Sequence, residues 1–96
     1  MKKIEIVYDE VLEKQVLMLL RQRGIKNYTR LDNVKGVGSS GARFNDSVAP
    51  GINSMIIIVV EDDIVPMFIS GLKRFKDRAG EQAGIKAIVT SVEEFV

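Results

Sequence analysis

Apolar and polar positions along this chain fall into short alternating runs, which predict strands, and two longer runs at helical spacing. The run that organises the others is Asn53 to Val60, N-S-M-I-I-I-V-V, whose six consecutive apolar residues are mostly β-branched. Such a run is too short to span a membrane, and it stands directly before an acidic helix start, so it predicts a strand. Strand side chains alternate, so Met55, Ile57 and Val59 point one way while Ile56, Ile58 and Val60 point the other. Both sets are apolar, as expected of a central strand. A chain this short has too few helices for both faces, so one face is expected to meet another copy of the protein.

The remaining pattern fits around that strand. Ile4, Ile6 and Tyr8 alternate with Lys3 and Glu5, predicting a first strand over Lys2 to Tyr8, and Asp9 is placed to cap the helix that follows. From Glu10 to Arg23 the residues Leu12, Val16, Leu19 and Leu20 form one stripe, which Gly24 stops. Tyr28 to Lys35 is a more polar strand, as suits a sheet edge. Glu61, Asp62 and Asp63 open a second helix with the stripe Ile64, Phe68, Leu72 and Phe75. Pro66 sits near its first turn, and Ser70-Gly71 reads as a weak point in its middle. Ile85 to Ser91 is the fourth strand, and Val92 to Val96 a short acidic-apolar tail. With right-handed crossovers, the order βαββαβ predicts an α+β, ferredoxin-like sandwich: one antiparallel four-stranded sheet, first and third strands central, both helices on one face. Residues 1–96 form a single domain. The stretch 36–52 is expected to be a long flexible loop, ordered by a partner, because it has little apolar content of its own.

Composition narrows the chemistry. The chain has no cysteine and no histidine, which removes disulfides, a thiol nucleophile and the commonest metal ligands and general base. A net charge of +1 argues against nucleic acid as a partner, and Arg21, Gln22 and Arg23 read as a solvated helix end. The apolar stretch at the N-terminus is short and broken by Glu5, unlike a signal peptide, so the expected setting is cytoplasmic, with no membrane insertion.

Gly36-Val37-Gly38-Ser39-Ser40-Gly41 matches the glycine spacing of a dinucleotide-binding turn, with Glu61 about twenty residues beyond. That turn must open a helix, and A-R-F-N-D-S-V-A-P-G cannot form one, so the glycines read as hinges or as a nest of backbone N–H groups able to meet a phosphate. Among ferredoxin-like domains, RNA binders stack bases on aromatic residues of the central strands, and Asn53 to Val60 has none. No nucleophile, base and orienter can be assembled, so a binding protein is expected rather than an enzyme.

Met1-Lys2-Lys3-Ile4-Glu5, Gly24-Ile25, Val34-Lys35-Gly36-Val37-Gly38 and Ile58-Val59-Val60-Glu61-Asp62-Asp63-Ile64-Val65 resemble the corresponding stretches of the PII nitrogen-regulatory signal proteins, in register along nearly the whole chain. The resemblance implies a cytoplasmic homotrimer with its sheets turned toward the threefold axis. It also implies ATP or ADP in clefts between subunits, a response to 2-oxoglutarate, and a long loop that grips a target enzyme, transporter or regulator. The departures are specific. Ser39-Ser40 replaces the family's Arg-Gln pair, the loop has no tyrosine for uridylylation, and the family's arginine-bearing C-terminal segment has no counterpart. Ala79 to Lys86 keeps Gly80 and Lys86 of the phosphate loop but carries Glu81 where a lysine belongs. No cofactor is therefore required, adenine nucleotide is a candidate against which these departures count, and the ATP and 2-oxoglutarate site is expected to be degenerate.

The expected ligand-binding residues are Gly36, Val37, Gly38, Arg43, Gly80 and Lys86, with Phe44, Asn45 and Asp46 meeting a protein target. No metal site is expected. The rival reading is a small trimeric enzyme or metal-binding protein of similar fold, built from Asp46, Asp62 and Asp63, though the paired aspartates are better explained as a helix cap and first-turn charge.

Overall fold

The computed structural model describes residues 1–38, 41–47, 51–80 and 84–96. In chain order its elements are β1 (Lys2–Asp9), α1 (Glu13–Gln22), β2 (Thr29–Val34), β3 (Gly36–Gly38), β4 (Gly41–Arg43), β5 (Asn53–Val60), α2 (Val65–Ala79) and β6 (Ile85–Ser91). Short 3-10 turns at Glu10–Leu12 and Asp62–Ile64 lead into the two helices. The main sheet has the order β2-β5-β1-β6 with every neighbouring pair antiparallel, so β1 and β5 are central in a ferredoxin-like sandwich.

Register decides which side chains form the core. Ile4 lies opposite Ile58 and Ile6 opposite Ile56. These four, with Tyr8, pack beneath Val16 and Leu20 of α1 and Phe68, Leu72 and Phe75 of α2. The other sheet face carries Val7, Met55, Ile57 and Val59 at its centre, none of them fully buried, flanked by Leu31 and Ile88, which are 41% and 49% exposed. Strand β5 is thus apolar on both faces, and the helices cover one.

The helix ends follow their local chemistry. After α1, Gly24 takes φ 68° and donates its N–H to Arg21 O, while Ile25 N–H reaches Leu20 O, two bonds that satisfy the last carbonyls of the helix. Ile25 is buried as a result. Pro66 stands in the first turn of α2, where its missing N–H leaves no bond broken. Asp62 and Asp63 are first-turn charges but not caps. The capping position belongs to Glu61, whose side chain makes no capping bond, and Asp62 pairs with the N-terminal amino group at 2.9 Å. At Ser70-Gly71 α2 runs on unbroken, and a Cβ on Gly71 would meet Leu19 Cδ2 at 3.6 Å, an ordinary packing distance.

Two stretches differ from expectation. Strand β2 is shorter than Tyr28 to Lys35, and its register against β5 shifts between Leu31 and Val34, where Asn33 takes φ 56°. Asparagine tolerates that left-handed conformation better than most residues, and the shift makes a bulge. Within 36–52, expected as one loop, β3 and β4 form a separate two-stranded hairpin with Gly36 opposite Arg43 and Val37 opposite Ala42.

Tyr8 joins the core to the surface. Its ring is buried and its hydroxyl donates to Glu13 Oε1 at 2.8 Å, an oxygen that also accepts from Arg30 Nη1 at 3.2 Å. Burial, then the hydrogen bond and charge of Glu13, raise the phenol above its ordinary range. The folded state therefore holds this proton more tightly than the unfolded chain. The stability it confers is complete below about pH 10 and is lost as pH climbs from there through the raised folded value. Tyr8→Phe should cost about 1 to 2 kcal/mol at neutral pH and flatten the alkaline fall in stability, as read by urea unfolding at pH 7 and pH 10.5.

Candidate functional site

The β3-β4 arm is fastened to the sheet at one junction, where the end of β1, the entry to β5 and the entry to β6 converge. Asp9 donates its N–H to Gly84 O at 2.7 Å, Glu10 donates to Ile52 O at 2.9 Å, and Asn45 donates to Gly51 O at 3.2 Å. The first two of these bonds tie together segments distant in sequence, and the third joins the residues after β4 to those before β5. Across them lies the side chain of Arg43, whose Nη1 pairs with Asp9 Oδ2. The other oxygen of Asp9 accepts from Val11 N–H at 3.1 Å, the cap that the sequence predicts for this residue. Both partners of the ion pair are largely buried, Arg43 at 16% exposure and Asp9 at 20%.

Two glycines make the channel for this arginine. A Cβ on Gly51 would stand 2.6 Å from Arg43 Cγ, and one on Gly84 would stand 3.0 Å from Nη2 and 3.2 Å from Nε. Neither glycine has positive φ, so close packing of the arginine is the reason for both. Asp9, Gly51 and Gly84 were not legible as site residues. Glycines placed just before strands are the only signal they leave.

The other predicted residues spread around this junction. Gly36, Val37 and Gly38 form β3, beside Arg43 across the hairpin, and Val37 is 70% exposed. Gly38 is not followed by a helix, so the glycine spacing does not build a dinucleotide turn. Phe44, Asn45 and Asp46 follow β4 as an exposed stretch, with Asn45 at φ 55°. Gly80 closes α2 at φ 85°. Lys86 is exposed on β6, opposite Val7, on the sheet face that the helices leave open. Ser39, Ser40 and Glu81 lie outside the described residues. Beside the junction is a cavity of about 340 Å³ lined by Glu10, Glu13, Arg30, Asp32, Asn33 and Asn45, among others. Arg30 engages both Glu13 and Asp32 there, at 3.2 and 3.0 Å, so its charges are largely paired internally. Among the described residues no group of three or more His, Cys, Asp or Glu side chains is placed to hold a metal ion.

The fit of Arg43 between the glycines predicts a specific coupling. Gly51→Ala must push the arginine aside and should cost about 1 to 3 kcal/mol, whereas the same change in an Arg43→Ala background should be nearly neutral. A double-mutant cycle by thermal or urea unfolding reads the difference.

Sequence and fold both have counterparts among known proteins. The family model described as nitrogen regulatory protein P-II matches residues 1–96. CPII, a nitrogen regulatory PII-like protein from Thiomonas intermedia K12, solved with ADP, AMP and bicarbonate, is 25% identical, with a TM-score of 0.73 over 97% of this chain and 88% of that one. The same protein bound to ADP and bicarbonate gives 25% identity and a TM-score of 0.72 over the same shares. A putative PII-like signalling protein from Thermus thermophilus, at 24% identity and TM-score 0.63 over 93% of this chain and 83% of that one, shares the fold. No protein of curated function matches. With the family model covering its whole length, this chain belongs to the nitrogen regulatory protein P-II family, whose members are regulatory rather than catalytic.

Proposed function

We propose that the protein is a trimeric PII-like sensor that binds an adenine nucleotide of one or two phosphates, with bicarbonate, and presents its arm to a protein target. The observation that carries this reading is the arm itself. Residues 36–38 and 41–43 form a hairpin separate from the main sheet, tied back to its first strand through the ion pair of Arg43 with Asp9. An element held at one junction can move as a unit when a ligand alters that junction.

The choice of effector follows from charge and from the relatives. Each phosphate brings negative charge that a cleft must meet with cations and N–H donors. Lys86 is exposed, but Arg43 is already paired with Asp9, and Ser39-Ser40 stands where the family carries an Arg-Gln pair. A site with fewer cations suits fewer phosphates, and the Thiomonas protein was solved with ADP, AMP and bicarbonate. Assembly into trimers accounts for the open face of Val7, Leu31, Met55, Ile57, Val59 and Ile88, an apolar surface that water disfavours. Among the described residues no helix is long and apolar enough to cross a membrane.

Calorimetry should detect ADP or AMP in the presence of bicarbonate and no tight site for magnesium ATP with 2-oxoglutarate. Tight binding of the latter would restore the ordinary PII ligand set, and silence from every nucleotide would remove the sensor reading. Assembly is tested by charge. Ile57→Lys, on the open face, should give a folded monomer by sedimentation, while Ile58→Lys, in the core, should unfold the chain. A wild-type monomer at micromolar concentration would contradict the trimer.

A further inference from the structure

We propose that the outward side of the two helices, around Lys14, Lys73, Arg74, Lys76 and Arg78, is a docking surface for a compact acidic segment of a partner protein. The proposal stands apart from the nucleotide and from the arm, and rests on neither.

The first observation is charge placed without partners. The C-terminal half of α2 carries Lys73, Arg74, Lys76 and Arg78 against the single acid Asp77, and every one of them is exposed. Helix α1 adds Lys14, exposed in its first turn. Among the described residues none of these cations joins an ion pair, whereas Lys3, Arg30 and Arg43 each do. A solvated helix ordinarily offsets its cations with acids three or four residues away. Asp77 stands at those spacings from Arg74 and Lys73, yet it pairs with neither. The helix dipole favours cations in the last turn, which accounts for Lys76 and Arg78 but not for Lys73 and Arg74.

The fold gathers these charges into one field. Strands β1 and β5 are antiparallel and each is followed by the helix that returns over the sheet, so α1 and α2 are antiparallel too. Leu19 of α1 lies against Gly71 of α2. Counting back along α1 and forward along α2 from that contact brings Lys14 level with Lys76. Met18, half exposed one turn after Lys14, adds a flexible apolar contact beside the cations.

The extent of the field selects the partner. The whole chain carries a net charge of only +1, so the cations here reflect segregation of charge and not an excess of it. Glu61, Asp62 and Asp63 stand at the opposite end of α2. They are about 15 Å along the axis from Lys73, farther than the Debye length of about 8 Å at physiological salt. A bilayer or a nucleic-acid duplex laid along the helices would span both ends and meet repulsion at the acidic one. A short acidic segment faces the basic field alone, and the guanidinium forks of Arg74 and Arg78, one turn apart, suit its carboxylates.

The test titrates a blocked peptide of about fifteen residues, mostly glutamate with interspersed leucine, into the full-length protein at physiological salt. Amide NMR shifts should saturate and centre on residues 14–18 and 73–78. Arg74→Gln combined with Arg78→Gln should raise the dissociation constant about tenfold, the effect of two exposed ion pairs, with the melting temperature unchanged. Lys26→Gln combined with Lys35→Gln removes the same charge from other exposed positions and should alter affinity by less than about twofold. Phosphatidylserine vesicles and a DNA duplex should bind more weakly than the peptide. Equal losses in the two double variants would reduce the binding to net charge and overturn the proposal. So would shifts that fail to saturate or centre elsewhere, and tighter binding of vesicles or duplex would overturn it in favour of lipid or nucleic acid.

Discussion

Strand β5 is apolar on both faces, and the chain carries enough helix to cover one of them. On the covered side Ile56 and Ile58 meet Ile4 and Ile6 across the sheet and the aromatic residues of α2 above it, and burial at about 25 cal/mol per Å² makes this the main source of stability. On the other side Met55, Ile57 and Val59 have only their strand neighbours. At its centre lies the Lys3 and Glu5 pair, joined at 2.9 Å, with Glu5 set between Ile57 and Ile88 in register. A charge pair in an apolar field tolerates few docking orientations, since each charge must stay matched when water leaves. The same face that favours association therefore also restricts its geometry.

Much of the fold is legible in the sequence because its determinants are local. The alternation of Lys2 to Tyr8, the stripe closed by Gly24, and Pro66 at a helix start each act within a few residues of where they stand, and the structure places them as read. The pairing of first and third strands follows from connection rules acting on that order. The pairing of 36–38 with 41–43 was not legible, because three-residue strands rich in glycine carry no apolar alternation to reveal them. Nor was the partnership of Asp9 with Arg43, which are 34 residues apart in sequence and meet only because three strand ends converge. Arg43 was singled out as a ligand-binding residue for its charge, and its partner was assigned a cap alone. The carboxylate does both, one oxygen for each.

Gly71 and Gly51 show why a glycine's meaning depends on what lies opposite. The first reads in sequence as a weak point of its helix, and the second as one more residue of a long loop. In the structure a Cβ on Gly71 would rest against Leu19 at an ordinary 3.6 Å, whereas one on Gly51 would run into Arg43 at 2.6 Å, so only the second glycine is required by its neighbour. Neither uses the backbone freedom that distinguishes glycine elsewhere. Gly51 matters for the volume it omits, which periodicity does not encode.

The bulge at Asn33 bears on a hazard that every open sheet faces. β2 and β6 are the two edges of the main sheet, and their unpaired backbone groups could template strand addition from another chain. Sheets that join unlike edges head to tail grow into fibres unless the rotation between copies happens to close a ring. The register shift at Asn33, together with Arg30 and Asp32 locked to one another at 3.0 Å, gives the β2 edge an irregular, charged profile that a straight strand cannot follow. With one edge blunted, unlike-edge growth has no second surface on which to continue. Contact through the faces remains open, and a rotational arrangement of faces is finite. A single left-handed asparagine thus helps decide between a particle of fixed size and a polymer of none.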